Sequence, residues 1–283
     1  MSVRQTQAEA IDRLDAAGCP SPAVDAQILL EHVLCQKRAE LHAAPEQPLT
    51  ETQQDEFERK LARRCKREPL AYIIGVWGFR RLQLRVTPAV LVPRPETELV
   101  VERCLAHLSA QRPQRIIDIG TGSGAIAIAI ADEHARAHVV ATDIAPHALE
   151  LAADNARRAR VEARVSFVHG DLFADQMGPF ELVVSNPPYV SAESYPLLEP
   201  EVAKFEPRVA LVGEGFHERI ATQARHRLVS GGWLVMETGE DQAPHVAALL
   251  RALGYSDVAV VLDLSERPRI VEGRRGTTWE WAE

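Results

Sequence analysis

The chain has 283 residues, of which 46% are hydrophobic and 25% are charged, and its formal net charge is -8. This length predicts one large domain with a smaller appendage, and the composition is typical of a soluble globular protein. The acidic total argues against binding through a phosphate-backbone footprint, no apolar run approaches the roughly 18 to 20 residues that span a bilayer, and the N-terminus lacks the apolar segment of a signal peptide. We therefore expect a cytoplasmic protein that contacts neither nucleic acid nor membrane directly.

Cysteines and basic residues give little sign of chemistry. Cys19, Cys35, Cys65 and Cys104 are scattered, with no C-x-x-C pair and no histidine at ligand spacing, so we expect structural thiols and no metal site. The one basic cluster is KLARRCKREP, at Lys60–Pro69, and we interpret it as a solvated helix face.

The first 75 residues have a helical pattern. The stretch AEAIDRLDAAG ends at Gly18, as a helix C-terminus does. Ser21 followed by Pro22 is typical of a helix start, and Thr50 begins a third helix with acids in its first turns and bases in its last. We predict a small all-α domain over residues 1–75, with no chemistry visible in it.

The pattern of residue types changes after this domain. Residues 76–92 carry aromatic and branched side chains in partial alternation, which predicts a β-hairpin linker. PRPETELVVERCLAHL restarts a helix at Pro95, and beyond Arg115 strands and helices alternate. That alternation predicts a parallel sheet with helices on both faces, in a domain over 93–283, and its ligand belongs outside the carboxyl ends of the strands. The candidate strands are RIIDIG, HVVATD, VSFVHG, ELVVSN, GGWLVMET and VAVVLDL, and the candidate helices are GAIAIAIADEH, PHALELAADNARRA, HERIATQARHRLV and APHVAALLRALG.

A glycine-rich motif, DIGTGSGA at Asp118–Ala125, lies between the first of these strands and its helix. Gly120, Gly122 and Gly124 allow a tight turn and a close approach of ligand to backbone, while the helix N-terminus offers free N–H groups. The spacing Gly120-x-Gly122-x-x-Ala125 also satisfies the loose dinucleotide fingerprint. The motif alone does not choose the ligand.

Acidic side chains end the next two strands. Asp143, in ATDIAP, lies at the right distance along the chain to accept hydrogen bonds from ribose hydroxyls. Asp171, in HGDLF, is a candidate contact to an adenine amine. An aspartate at a strand end is also a common helix cap or turn residue, and a ribose-binding acid occurs both in NAD enzymes and in S-adenosylmethionine enzymes. These acids therefore indicate a nucleoside without identifying it.

The fourth strand runs into SNPPYV, at Ser185–Val190. Proline donates no backbone hydrogen bond, so Pro187 and Pro188 release the chain from the sheet and hold Asn186 extended. Asn186 then offers a side-chain acceptor and donor, and Tyr189 a flat apolar face. Such a set suits a planar NH2 group, and the other three motifs favour this interpretation over its alternative, a proline-terminated strand with a capping asparagine.

In this order, DIGTGSG, the acid in ATD, the acid in GDLF and SNPPYV resemble a class I S-adenosylmethionine-dependent methyltransferase that acts on an exocyclic or amide nitrogen. Asn-Pro-Pro-Tyr is shared by DNA adenine N6-methyltransferases and protein glutamine N5-methyltransferases. REPLAYIIGVWGF, TPAVLVPRPETE, VAKFEPRVALVG and ERPRIVEGRRG resemble the bacterial release-factor glutamine methyltransferases, up to about Gly273. The tail after Gly273 has no counterpart that we recognise.

This resemblance implies an α/β fold: a seven-stranded, mostly parallel, Rossmann-like sheet of the class I methyltransferase type, with a small all-α N-terminal domain that docks the substrate and a β-hairpin linker. It implies methylation of the N5 amide nitrogen of the glutamine in the Gly-Gly-Gln motif of class 1 peptide chain release factors. The implied cofactor is S-adenosyl-L-methionine, which leaves as S-adenosyl-L-homocysteine, and no metal is implied.

The resemblance also assigns residues to the cofactor and to the substrate. The cofactor-binding set is Gly120, Thr121, Gly122, Ser123, Gly124, Asp143, Asp171, Leu172 and Asn186. The substrate-binding set is Asn186, Pro187, Pro188 and Tyr189, of which Asn186, Pro187 and Tyr189 are the predicted catalytic residues. The family often has tryptophan after the acid of GDLF, packed on the adenine; Leu172 stands there in this chain and leaves an apolar contact.

Three alternatives remain at this stage. A DNA or RNA adenine N6-methyltransferase normally carries a basic target-recognition region, whereas this chain is acidic overall. A non-catalytic adaptor that binds S-adenosylmethionine has no need of an intact Asn-Pro-Pro-Tyr. An NAD oxidoreductase requires a proton-transfer residue at a strand end, and none is evident. Labelled methyl transfer to a release factor, to its Gln→Ala variant and to DNA separates these functions.

Overall fold

A computed structural model of the chain describes residues 1–276, which form two compact units. One unit comprises Met1–Val76 and Leu198–Phe205; the other comprises Trp77–Leu197 and the described residues from Glu206 onward. The segment Leu198–Phe205 carries no sequence signal for membership of the helical unit. Most of the tail after Gly273 lies outside the described residues.

The α-helices of the described chain follow the predicted pattern and add three short ones. In chain order they are α1 (Val3–Ala16), α2 (Pro22–Leu34), α3 (Arg38–Ala43), α4 (Glu51–Cys65), α5 (Leu70–Ile74), α6 (Pro95–His107), α7 (Ala125–Glu133), α8 (Pro146–Arg158), α9 (Pro200–Phe205), α10 (Phe216–Arg227) and α11 (Ala243–Ala252). The short helices α3, α5 and α9 have too few turns for a recognisable hydrophobic period. None of the helices in residues 1–276 is both long and apolar enough to cross a bilayer.

Local capping explains where the helices of the first unit begin. The Thr50 side chain accepts a hydrogen bond from the Gln53 backbone N–H, and the Gln53 side chain accepts one from Thr50 in return, so two otherwise unpaired donors are satisfied at the start of α4. Pro22 is the first residue of α2, as predicted, although the Ser21 side chain makes no capping bond. The predicted helix starts at Pro22 and after Thr50 are confirmed.

The basic cluster at Lys60–Pro69 is a solvated face only in part: Arg63 and Lys66 are exposed, but the interpretation is wrong for Arg64 and Arg67. Arg64 is 5% exposed and donates hydrogen bonds to Asp25 at 2.7 Å and to Glu201 at 2.8 Å. Arg67 donates to the same Glu201 carboxylate at 2.6 Å. These ion pairs hold α9 within the helical unit, and they lower the pKa of Glu201 against the opposing effect of its burial.

The second unit contains the predicted seven-stranded sheet. Its strands stand in the order β5-β4-β3-β6-β7-β9-β8, with parallel pairing except where β9 pairs antiparallel with β7 and β8. A separate two-stranded sheet is formed by β1 (Val76–Phe79) and β2 (Leu82–Arg85). The strands of the main sheet are β3 (Gln114–Ile119), β4 (Ala137–Asp143), β5 (Val165–His169), β6 (Phe180–Ser185), β7 (Leu228–Glu237), β8 (Tyr255–Leu262) and β9 (Pro268–Arg275). The fold class is confirmed, and β9 is the strand that periodicity did not identify.

Alternating side chains of the sheet divide its core between two faces. Ile116 packs in a cluster with Val100 of α6 and Ile128 of α7, whereas the next residue, Ile117, packs with Ile220 of α10 and Leu250 of α11. All of these side chains are fully buried. Successive strand residues point to opposite faces, so helices are required on both sides of β3. The sheet edge at the carboxyl ends of its parallel strands stays open for a ligand.

Candidate active site

A cavity of about 180 Å³ lies in the second unit and is lined by the ends of the central strands. Because β3 pairs in parallel with both β4 and β6, the segments that follow these strands meet at one edge. The predicted residues that line the cavity are Gly120, Thr121, Gly122, Ser123, Asp143, Asp171, Leu172, Asn186, Pro187 and Pro188. Gly124 and Tyr189, also among the described residues, do not line it. One cavity therefore collects residues of four motifs that are separated in sequence.

The glycine loop leaves room beside its backbone. Gly120 and Gly122 have φ values of 72° and 55°, which disfavour other residues, and a methyl group added to either would meet nothing within 4 Å. Gly124 differs, since an added methyl group would lie 2.7 Å from Ile128 and 3.1 Å from Ala152. The first two glycines thus open the cavity, whereas Gly124 allows α7 to pack against α8.

Buried hydrogen bonds hold this loop in place. The backbone N–H groups of Gly120 and Thr121 both donate to the Thr142 carbonyl oxygen at 2.9 Å. Asp118 Oδ2 accepts from the Thr121 hydroxyl at 2.6 Å and from the Ala127 N–H at 3.2 Å. Burial raises the pKa of Asp118 to about 7, against these two hydrogen bonds, which lower it. The carboxyl of Asp118 fixes the turn from the buried side of the loop.

Asp143 contacts the loop from the neighbouring strand. Its Oδ2 accepts a hydrogen bond from the Gly122 N–H at 2.8 Å, and its Oδ1 accepts one from the Ala145 N–H at 2.9 Å. Asp143 also lines the cavity. Each carboxylate oxygen has a second lone pair, so these bonds leave Asp143 able to accept hydroxyl donors from a ligand. The turn-forming contacts of Asp143 are therefore compatible with its predicted role in ligand binding.

Asp171 and Leu172 follow β5 and lie at another part of the cavity wall. Asp171 is exposed and forms an ion pair with Arg219. Leu172 is 6% exposed, and its carbonyl oxygen accepts a hydrogen bond from the Thr142 hydroxyl at 2.6 Å. Leu172 contributes apolar surface at the place where the resemblance implies an adenine ring.

The SNPPYV segment is pinned at both of its ends. The Ser185 hydroxyl donates to the Ile119 carbonyl oxygen at 2.8 Å, which joins the ends of β6 and β3. Beyond the prolines, the Val190 N–H donates to Leu211 at 2.9 Å, and the Val190 carbonyl oxygen accepts from the Gly213 N–H at 3.1 Å. A proline pair held between two anchors has few accessible backbone conformations, so the segment is conformationally restricted.

Asn186 is oriented by a residue that the sequence analysis missed. Its Nδ2 donates to the Thr97 hydroxyl oxygen at 3.3 Å, and the Thr97 hydroxyl donates in turn to Glu237 Oε2 at 2.7 Å. Tyr189 reaches the same carboxyl, with its hydroxyl 3.4 Å from Glu237 Oε1. Thr97 belongs to PRPETE, and Glu237 is an acid at the end of β7, so the acid-at-a-strand-end signal applied to it as well. The role of Tyr189 as a flat face for the substrate stays a prediction.

Burial changes the pKa of two carboxyl groups near the cavity. Burial raises the pKa of Glu237 to about 7, partly offset by the hydrogen bond from Thr97. Burial also raises the pKa of Glu206, which is 5% exposed and accepts a hydrogen bond from Arg94 at 2.5 Å. Arg94 lines the cavity and was likewise missed, although it too lies in PRPETE.

The β1–β2 hairpin supports the glycine loop through Asn155 of α8. Asn155 Nδ2 donates to the Ser123 carbonyl oxygen at 2.9 Å and to the Arg85 carbonyl oxygen at 3.0 Å, and its Oδ1 accepts from the Arg85 N–H at 2.8 Å. Asn155 is 1% exposed. One buried amide therefore joins the hairpin, α8 and the loop.

We expect Asn155→Ala to lower the free energy of unfolding by about 1 to 3 kcal/mol, because it leaves the buried Ser123 carbonyl oxygen and the partly buried backbone groups of Arg85 without this partner. Urea denaturation measures the change. Arg158→Ala, at an exposed position on the same helix, is the control and should stay within about 0.5 kcal/mol of the parent. Equal stability of the two variants would contradict the structural role of Asn155.

Residues 1–276 contain no group of three or more His, Cys, Asp or Glu side chains that is arranged to hold a metal ion. The four cysteines are free thiols. The polar residues that line the cavity carry carboxylates, hydroxyl groups, the Arg94 guanidinium and the Asn186 side-chain amide. This is a donor and acceptor set suited to an organic ligand.

Comparison with known families assigns both parts of the chain. Residues 5–75 match the family described as "PrmC N-terminal domain", and residues 97–199 match the family described as "Methyltransferase small domain". The second match contains the glycine loop, Asp143, Asp171 and the SNPPYV segment, which are the parts that meet at the cavity.

Curated relatives are similar over nearly the whole chain. The release factor glutamine methyltransferase of Koribacter versatilis (strain Ellin345) is 39% identical over 98% of this chain and 100% of its own. The enzyme named so from Coxiella burnetii (strain RSA 493 / Nine Mile phase I) is 41% identical over 90% of this chain and 93% of its own. The one from Escherichia coli (strain K12) is also 41% identical, over 94% of this chain and 96% of its own.

Solved structures support the fold. A methyltransferase from Pyrococcus furiosus superposes with a TM-score of 0.53 at 20% identity, covering 80% of this chain and 100% of that one. The hMettl16 catalytic domain gives a TM-score of 0.57 at 18% identity, covering 78% and 83%. At these identities the likeness concerns the arrangement of helices and strands alone.

Proposed function

Because the chain belongs to the release factor glutamine methyltransferase family, we propose that it transfers a methyl group from S-adenosylmethionine to the side-chain amide nitrogen of a glutamine in a peptide chain release factor. The observation that carries this proposal is the single cavity lined by both the glycine loop and the Asn-Pro-Pro segment. A cofactor cradle and a planar-amide acceptor must be neighbours for a methyl group to pass between them.

The cavity suits the proposed cofactor. Open space beside Gly120 and Gly122 admits a ligand against the backbone, where side chains would fill it. Asp143 keeps lone pairs for two ribose hydroxyls, and Leu172 offers apolar surface for a purine. We assign the methionine end to the glycine loop, the ribose to Asp143, and the adenine to Asp171 and Leu172.

The substrate amide is proposed to lie against Asn186 and Pro187. An amide nitrogen is a poor nucleophile, because its lone pair is delocalised into the carbonyl group. When bound, S-adenosylmethionine supplies a methyl group on a sulfonium, whose leaving group departs neutral. Asn186 Oδ1 and the Pro187 carbonyl oxygen accept the two amide hydrogens and hold the nitrogen in line. These bonds strengthen as the nitrogen becomes positive, which favours the transition state over the ground state.

No dedicated base is needed for this reaction. The product amide carries an extra proton after transfer and is far more acidic than the starting amide, so it loses that proton readily to water. Asn186 and Pro187 therefore act by orientation and by hydrogen-bond acceptance, while Pro188 stiffens the segment.

Labelled methyl transfer tests the proposed function. The chain is incubated with S-adenosylmethionine carrying a tritiated methyl group, with a class 1 release factor, with the same factor in which the glutamine of Gly-Gly-Gln is Ala, and with DNA. We expect label in the intact release factor alone. Label in DNA would indicate an adenine methyltransferase, and cofactor binding without transfer to any substrate would indicate a non-catalytic adaptor.

Removal of the Asp143 carboxylate tests the cofactor site. We expect Asp143→Ala to weaken S-adenosylmethionine binding by about 10- to 100-fold, because it removes charge-assisted hydrogen bonds to the ligand and loosens the Gly122 turn. Isothermal titration calorimetry measures the dissociation constant. Glu150→Ala removes an equal charge from an exposed position and should bind normally. Unchanged affinity in Asp143→Ala would refute the assignment.

The helical unit is proposed to dock the release factor in the cytoplasm. It lacks the glycine loop and the Asn-Pro-Pro segment, and its buried ion pairs around Arg64 are suited to holding a rigid surface. Chemical cross-linking of the chain to a release factor, read by mass spectrometry, tests this role. Cross-links from residues 1–75 are expected, and their confinement to the other unit would contradict it.

A further inference from the structure

A chain of hydrogen bonds leads from the cavity to a buried acid. Asn186 Nδ2 donates to Thr97 Oγ1 at 3.3 Å, and the Thr97 hydroxyl donates to Glu237 Oε2 at 2.7 Å. Asn186 and Thr97 line the cavity, whereas Glu237 is 2% exposed and lies behind them. We propose that Glu237, acting through Thr97, is a positioning residue that holds the Asn186 amide with its oxygen toward the substrate. This inference rests on the proposed function.

The direction of the hydrogen bonds between Asn186, Thr97 and Glu237 follows from the number of protons available. An ionised carboxylate only accepts hydrogen bonds, so Thr97 must give its single hydroxyl proton to Glu237. Its remaining lone pairs then accept, which selects the NH2 group of Asn186 as the partner. Among residues 1–276 none donates a hydrogen bond to Asn186 Oδ1, which leaves that oxygen free for the amide hydrogen of the substrate.

A second donor reinforces this polarity. Tyr189, three residues after Asn186, places its hydroxyl 3.4 Å from Glu237 Oε1. The two oxygens of Glu237 thus accept from Thr97 and Tyr189, and both donors belong to the segments that shape the cavity. Gln242 donates to the Tyr189 carbonyl oxygen at 2.8 Å and holds the same stretch of backbone. The acid therefore organises the Asn-Pro-Pro-Tyr segment from behind.

Protonation of Glu237 would allow the donor and acceptor roles along these hydrogen bonds to reverse. A neutral carboxyl group, or the amide of Glu237→Gln, can donate to Thr97. Thr97 then donates to Asn186 Oδ1, and the Asn186 NH2 group turns toward the cavity. In that arrangement a donor faces the donor NH2 of the substrate, and the acceptor needed for transfer is lost.

Glu237 has a titration suited to such a switch in polarity. Burial raises its pKa to about 7; Thr97, Tyr189 and Arg269 oppose this, while Glu96 adds to it. His217 contacts the backbone oxygen of Glu237 at 2.9 Å, and burial lowers the His217 pKa below 6.5. Deprotonation of Glu237 with rising pH therefore establishes the productive polarity.

Two substitutions test the positioning role in the full chain. Thr97→Val removes the hydroxyl at nearly constant volume and should lower kcat about 10-fold, while the dissociation constant for S-adenosylmethionine changes less than about 2-fold. Thr97→Ser keeps the hydroxyl and should restore kcat to within about 2-fold of the parent. Glu237→Gln should lower kcat by about 10- to 100-fold. Thr222→Val and Glu218→Gln change exposed positions of α10 in the same way and serve as controls.

The pH profile distinguishes positioning from packing. In the parent, kcat should rise as pH increases through about 7 and then level off, since Glu237 must be ionised. In Glu237→Gln that step should be absent and kcat should be low on both sides. A Glu237→Gln enzyme that retains the parent profile would overturn the inference.

A readout without catalysis separates this inference from the proposed function. The Asn186 side-chain NH2 resonance is assigned in an ¹⁵N spectrum by its loss in Asn186→Ala. It should shift in Thr97→Val and return in Thr97→Ser. If the parent methylates no release factor but the resonance responds in this way, the proposed function fails and the orientation stands. If the resonance is unchanged in both Thr97→Val and Glu237→Gln, the orientation by Glu237 is refuted whatever the activity.

Discussion

Asn186→Ala should lower kcat by about 100-fold or more, which is the scale for loss of one hydrogen bond that strengthens in a transition state. The substitution removes Oδ1, the acceptor proposed for an amide hydrogen of the target glutamine. It also removes the NH2 group that donates to Thr97 at 3.3 Å. Single-turnover methyl transfer to a release factor measures the effect without interference from product release.

Binding measurements decide whether this loss is chemical. Asn186 is also in the predicted cofactor-binding set, but Asn186→Ala should weaken S-adenosylmethionine binding less than Asp143→Ala does, since the glycine loop and Asp143 are untouched. Glu193→Ala, at an exposed position shortly after the segment, should keep the parent kcat. Near-parent turnover with intact cofactor binding would remove Asn186 from the mechanism and would leave the Pro187 carbonyl oxygen as the remaining proposed acceptor.

Glu272→Gln should lower the free energy of unfolding by about 3 kcal/mol at neutral pH. Glu272 lies on β9 and accepts hydrogen bonds from Arg103 at 2.6 and 3.0 Å and from His107 at 3.1 Å. Burial opposes ionisation, but these hydrogen bonds outweigh it and lower the pKa of Glu272 from 4.5 to about 2. The His107 ring also stacks on Trp233, with centroids 3.7 Å apart.

The pH dependence of this stability has a defined sign. A carboxyl group with a lowered folded-state pKa stabilises the fold above its unfolded pKa, and that stability is lost as pH falls through the folded value. The advantage of the parent over Glu272→Gln should therefore be complete above about pH 5 and fall below half by about pH 3. Urea denaturation at several pH values measures it, with exposed Glu162→Gln as the control. A difference independent of pH would contradict the ion-pair origin.

Local signals were enough to find most of the fold. Thr50 and Pro22 mark helix starts because capping and a fixed φ act within a few residues. The alternation of apolar strands and helices identified the parallel part of the sheet because its central strands, β3 and β6, are buried on both faces. Strand β9 was missed because its short polar-flanked run pairs antiparallel with β7, a partner more than thirty residues away in the chain.

The residues of the candidate site likewise divide into those that local sequence signals predicted and those that they did not. Gly120, Gly122, Asp143 and Asn186 were predicted because each stands at the end of a strand, where a parallel sheet binds its ligand. Thr97 and Glu237 were not, since their hydrogen bond joins positions 140 residues apart. No local pattern records such a pairing.

By itself, the sequence determined most of the elements, the open edge of the sheet and many of the residues that reach it, because sterics, periodicity and strand ends act over short distances. Only the tertiary structure decided how those residues are held. It showed that Asn155 joins the hairpin to the glycine loop, that Arg64 is buried among acids, and that hydrogen bonds connect Asn186 through Thr97 to Glu237. The physical reason is that buried polar groups are satisfied by whichever partners folding brings within about 3 Å, and sequence distance does not limit that choice.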